Sequence, residues 1–80
     1  IEQYDANQFE ATLRSWQQAL DIYREIKDRR GEGVALSSLS VAYRALRYYP
    51  KAIENLERSL KIAQEIKDRQ GEGNALGYLG

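Results

Sequence analysis

Cysteine and histidine are absent from this 80-residue chain, and proline occurs once. Without cysteine or histidine, the chain has no disulfides and no zinc sites built on those ligands. Catalysis by Cys, His or a Ser-His-Asp triad is excluded within these residues for the same reason. Excess charge is missing as well: twelve Lys and Arg balance twelve Asp and Glu. Nucleic-acid modules draw their affinity from clustered surplus positive charge, so nucleic acid is not an expected partner. No apolar run approaches the ~20 residues of a membrane span, and no signal-peptide pattern opens the chain, so no membrane association is expected. Lack of cysteine suits an intracellular compartment, and the expected location is cytoplasmic. The length allows one small domain, burying only about 60–65% of its unfolded surface. The first residue is Ile1, not Met, which points to a piece of something longer.

What is present is repetition. Residues 24–36 read REIKDRRGEGVAL and residues 64–76 read QEIKDRQGEGNAL, an offset of 40. Aligning residues 1–40 with 41–80 gives 13 identities: Leu20, Ile22, Glu25–Arg29, Gly31–Gly33, Ala35, Leu36 and Leu39, each matched 40 residues later. Phe9/Tyr49 and Leu13/Ile53 are conservative pairs. Two periods fill the chain.

Each period reads as two helices. Tyr49, Ala52, Ile53, Leu56, Leu60, Ala63 and Ile66 follow the spacing of an amphipathic helix. Phe9, Leu13, Trp16, Ala19, Leu20, Tyr23 and Ile26 repeat it one period earlier. Between them a shorter helix carries Leu36, Leu39, Ala42, Tyr43 and Leu46 on one stripe, and Ala75, Leu76 and Leu79 begin another. Residues 1–5 read as the tail of a helix. Pro50 falls in a first turn, where a missing N–H costs little. Asp28–Gly31 and Asp68–Gly71 interrupt the periodicity and are expected turns, with Asp capping and Gly relieving backbone strain. Arg29 and Arg30 are expected at a helix end, complementing its dipole. No strand is expected.

The stretch Leu36-x-x-Leu39-Ser40-x-x-Tyr43, followed by Tyr49-x-x-Ala52-Ile53-x-x-Leu56-x-x-Ser59-Leu60, resembles the tetratricopeptide repeat signature. The standard repeat has about 34 residues, so this one is longer by about six. It is similar to the long repeats of kinesin light chains, spindle-orientation adaptors and bacterial signalling proteins. Leu36 stands at the usual first-helix Trp position, and Arg47 and Asn7 replace the Gly before the second helix. The Asn that often bonds peptide backbone in long-repeat members, and the clamp some members use for a terminal carboxylate, are not retained: Ser38, Tyr78 and Val34 occupy those places. The resemblance implies an all-α fold of antiparallel helix-turn-helix repeats stacked as an α-solenoid. The whole chain, 1–80, would be a single piece of such an array, about two periods long and cut within a first helix at both ends.

It also implies a non-enzymatic protein-interaction scaffold with no cofactor, binding a peptide or protein segment on its concave face. The residues expected there are Val34, Ser37, Ser38, Val41, Arg44, Ala45 and Tyr48, with Asn74 and Tyr78 in the next repeat. Aromatic residues supply contact area at small entropy cost, and Arg44 suits an acidic partner residue. Trp16 and Tyr49 are expected in the core, with Tyr48 partly exposed. Gly31-Glu32-Gly33 lacks the spacing and preceding strand of a phosphate loop. No acid–base pair of carboxylates emerges. Two other readings are an interaction arm of a larger enzyme or signalling protein and a self-associating structural or engineered repeat piece with no dedicated ligand. Gly80 holds the repeat position that precedes Ile1, and Leu76, Leu79, Ile1 and Tyr4 lack polar capping. Head-to-tail association is therefore possible end to end.

Overall fold

Connections of three residues set the architecture. The computed structural model describes residues 6–79, with side chains from Gln8 to Leu79. It contains α1 (Ala6–Glu25), α2 (Arg29–Ala45), α3 (Tyr49–Glu65) and α4 (Arg69–Leu79), and no strand among the described residues. Ile1, Tyr4 and Gly80, and the helix tail expected over residues 1–5, lie outside the described residues.

Each connection ends one helix and starts the next at the same residue. Lys27, Arg47 and Lys67 take positive φ of 60°, 67° and 59°. In the first turn Asp28 N donates to the Tyr23 carbonyl at 2.8 Å and Lys27 N to that of Arg24 at 3.2 Å. That pair of bonds is a Schellman cap, and the same pair recurs after α2 and α3. Asp28, the last residue of this cap, then caps α2, its Oδ1 accepting from Gly31 N at 3.0 Å. Asp68 caps α4 through Gly71 N at 3.1 Å. Tyr48 occupies the equivalent place before α3 with no side-chain cap, and Pro50 sits in that helix's first turn.

Two expectations about these turns need correcting. Arg29 and Arg30 open α2 and so stand at the positive end of its dipole. Their charge is met by carboxylates: Arg29 pairs with Glu32 at 2.9 Å and with Glu65 across the α2–α3 junction, and Arg30 with Asp68 at 3.1 Å. Hydrogen bonds donated to Glu65 first, then to Glu32, raise the Arg29 guanidinium above its ordinary pKa. Gly31 does not relieve a strained turn, because no glycine among the described residues has positive φ. It allows a close approach. A Cβ there would lie 2.4 Å from Cδ1 of Tyr23, so the absent side chain is what seats the α1 ring on α2.

Short reversals make consecutive helices antiparallel neighbours, and α2 also meets α4, as in a stacked solenoid. Leu20, Ala35, Leu36, Leu39 and Ile62 form the buried centre, with Leu13, Trp16, Tyr23, Tyr43 and Ile66 packed around it. Trp16 thus packs on the core side, half-buried. Glu32 is buried among these elements because Arg24 of α1 (3.3 Å) and Arg29 both hold its carboxylate. A buried charge is tolerable only with such partners.

A hydroxyl chain joins α2 to α3. Ser59 Oγ donates to the Gly33 carbonyl at 2.9 Å, which uses its one proton. Ser37 Oγ, 2.7 Å away, must then donate to Ser59. Fully buried Ser40 donates to the Ser37 carbonyl at 2.6 Å.

Four residues expected on core stripes lie outside the core, Leu76 of α4 among them. Tyr49 is 52% exposed, and Ile26 and Ile53 are also exposed. Ile26 lies at the end of α1, whereas its counterpart Ile66 at the C-cap of α3 packs against the core. Tyr49 and Ile53 owe their exposure to the extent of α4 among the described residues. Past Leu39, the counterpart of Leu79, α2 runs on to Ala45, and the matching α1 residues Phe9 and Leu13 are half-buried.

Candidate functional site

The exposed side of α2 follows from helical geometry. Leu36, Leu39 and Tyr43 turn toward the core, which leaves Val34, Ser38, Val41 and Ala45 on the opposite face, at intervals of three or four residues. α4 repeats this arrangement, so Asn74 and Tyr78 face the same way as Val34 and Ser38.

Between α2 and α4, floored by α3, lies a groove of about 180 Å³. Val34, Ser37 and Ser38 line one wall, and Asn74 and Tyr78 the other. Ser59, Ile62, Ala63 and Ile66 supply the floor, and Arg30 and Asp68 close one end with their ion pair. The groove offers an apolar floor, an amide, a phenol and a hydroxyl, with its charges paired to each other. Ser37 can offer the groove only an acceptor, since its hydroxyl proton is directed to Ser59.

A second hollow of about 310 Å³ lies beside Arg44, Tyr49, Ile53, Leu56, Tyr78 and Leu79. Tyr78 borders both hollows, so Arg44 stands at the far side of a continuous surface. Val41 and Ala45 continue the exposed face of α2 but line neither hollow. Tyr48 lies apart: it is in the turn after α2, its ring 6.3 Å from that of Tyr43 between centroids, and exposed. Lys51 Nζ covers the Tyr43 ring at 5.9 Å. Tyr43 and Lys51 line a different, polar hollow between α1 and α3 with Arg24, Glu54 and Arg58.

Of the nine residues expected from the sequence, the structure therefore gathers five in one groove, adds Arg44 through Tyr78, and sets Tyr48 aside. Arg30, Asp68 and the α3 floor were missed. The available signal was Asp68, whose repeat partner Asp28 marks it as a cap and therefore fixes it where α3 hands over to α4. Among the described residues no group of three or more acidic side chains is placed to hold a metal ion. No described helix is long and apolar enough to cross a membrane.

Stacked antiparallel helix pairs with an exposed inner face define a helical-repeat scaffold. The family model for the tetratricopeptide repeat matches residues 3–65, and the chain belongs to that family. Repeats of this family mediate protein–protein interaction and form non-catalytic scaffolds. No curated protein and no solved structure matches the chain.

Proposed function

We propose that this chain is a non-enzymatic binding module that holds an extended peptide segment in the groove between α2 and α4. The observation carrying this is the convergence of Val34, Ser38, Asn74 and Tyr78, from helices a full period apart, on one hollow with an apolar floor. Asn74 carries both a donor and an acceptor, which suits a peptide amide. Ile62, Ala63 and Ile66 form a floor for one apolar side chain, and Tyr78 supplies a broad contact face. An acidic residue further along the peptide would reach Arg44 past Tyr78.

The test is selection of peptides on the immobilised chain, followed by calorimetry with groove variants. Asn74→Ala and Tyr78→Ala are each expected to weaken a selected peptide about tenfold or more, with an unchanged circular dichroism spectrum. Arg58→Ala, on the α1–α3 side, is expected to leave affinity unchanged. Equal losses from Arg58→Ala and none from the groove variants would refute the assignment.

A further inference from the structure

The α2–α3 junction uses three recognisable contacts. A Cβ on Gly33 would lie 3.5 Å from Ile62 Cγ2, so Ile62 packs over the gap at Gly33. Leu36 and Ile62 share the buried centre. Arg29 reaches across to Glu65. Every one of these five residues recurs, identical, at the 40-residue offset on the two outer helices. Ile22 and Glu25 of α1 match Ile62 and Glu65, while Arg69, Gly73 and Leu76 of α4 match Arg29, Gly33 and Leu36.

Among the described residues, these positions on the outer helices meet no partner helix. Ile22 is 54% and Leu76 is 51% exposed. A Cβ on Gly73 would meet nothing within 4 Å. Arg69 has only a 3.7 Å approach to Glu72 of its own helix, with a side chain 90% exposed. Glu25 is exposed too. We infer that a second copy of this chain docks its α1 on α4, rebuilding the α2–α3 junction between molecules. Ile22 of the incoming copy covers Gly73 and packs on Leu76, and Glu25 pairs with Arg69. Where Ser59 and Ser37 bond inside the chain, Ala19 and Gly77 stand at the matching positions, so no hydroxyl is buried without a partner. The contact is heterologous: each added copy presents a fresh α4, and the assembly propagates head to tail. This goes beyond the peptide groove and does not rest on it.

Mass measured by light scattering over a wide range of concentration tests the inference, with helicity followed in the same samples. The unaltered chain is expected to grow from 9.2 kDa in whole-chain steps. Ile22→Glu blocks the α1 face and Leu76→Glu the α4 face; both positions are half exposed, so the fold tolerates them. Each variant alone stays a single chain. Their equimolar mixture gives a two-chain species and nothing larger, because only one α1 face and one α4 face remain compatible. Arg69→Glu weakens growth, and adding Glu25→Arg to the same chain restores it. A chain that keeps its single-chain mass at every concentration would overturn the inference and leave these faces to a different helix. So would a mixture that remains monomeric, or growth that survives both blocking variants.

Discussion

Gly31 and Gly73 lie near the starts of the counterpart helices α2 and α4, yet alanine should act on them in opposite directions. At Gly73 a new methyl meets open space, and φ is already helical. The substitution then gains only what alanine gains over glycine in a helix, ~0.5–1 kcal/mol. At Gly31 the methyl would lie 2.4, 2.5 and 2.8 Å from Cδ1, Cε1 and Cγ of Tyr23. Cγ is the root of the ring, so a small rotation cannot clear it; the ring must retreat from the core it packs on. Overpacking of this kind costs ~1–3 kcal/mol, against a propensity gain of at most ~1. The balance runs from about zero to a net loss of ~2.5 kcal/mol, centred on ~1. For a chain of this size, each kcal/mol moves Tm by roughly 4–8 °C. Gly31→Ala should therefore lower Tm by roughly 4–8 °C at the centre of that range and Gly73→Ala raise it by roughly 2–8 °C. Thermal melts by circular dichroism, at one concentration low enough to hold the chain monomeric, measure both. Tyr23→Ala supplies the control, since alanine is what the second period carries at Ala63. In that background Gly31→Ala should lose its penalty, a coupling that a double-mutant cycle reads directly. Equal stabilisation by both substitutions, or no coupling to Tyr23, would refute the account of Gly31 as the seat of that ring.

Arg47→Gly should stabilise by ~0.5–1 kcal/mol, because φ of 67° strains any side chain and costs glycine nothing; urea denaturation will show it as a shifted midpoint at constant slope. Ser59→Ala should cost ~1 kcal/mol by breaking the hydroxyl chain between α2 and α3, and Ser59→Cys should not restore it, as a thiol is a weak donor. Leu36→Ala removes a fully buried side chain and should cost ~2–5 kcal/mol, enough to unfold so small a domain at ordinary temperature, whereas exposed Leu76→Ala should change Tm by little. Asp68→Ala should cost more than Asp28→Ala, about 1 kcal/mol for the lost cap plus the release of Arg30, and it alone should alter peptide affinity.

Periodicity made the helices legible because a helix buries what it places at intervals of three and four. Leu36, Leu39 and Leu56 were therefore identified as core from spacing alone, and each is almost fully buried. Tyr49 shows where spacing fails. A stripe reports which face of a helix points inward, but not whether a neighbour is long enough to cover every position along it. The turns were misread for a different reason. Glycine is the usual marker of a left-handed residue, and here lysine and arginine hold those positions while glycine sits inside the helix. Nothing in the lysine side chain announces positive φ at Lys27; it accompanies the Schellman bonds that Lys27 N and Asp28 N make to the last turn of α1. Arg29 and Arg30 were placed at the wrong helix end by the same shift of the turn.

The two periods also act as an internal comparison, since one fold has been filled twice. Between α2 and α4 the identical positions are Arg29, Gly31, Glu32, Gly33, Ala35, Leu36 and Leu39 with their counterparts. On α2 these residues meet α1 and α3 or form ion pairs with them, so each has a geometric task there. The positions that differ include Arg30/Gln70, Val34/Asn74, Ser37/Gly77 and Ser38/Tyr78. Five of these eight residues line the proposed peptide groove as its two walls, and Arg30 closes its end. Val34, Ser38, Asn74 and Tyr78 make none of the contacts between neighbouring helices described above, which leaves valine and serine on one side, asparagine and tyrosine on the other. Because α2 and α4 are each antiparallel to α3, they run the same way and give the groove a direction, and the unlike walls tell one side from the other. A peptide held there should bind in one orientation only. Reversing the sequence of a selected peptide should abolish binding, whereas a symmetric apolar trough would accept both directions with similar affinity.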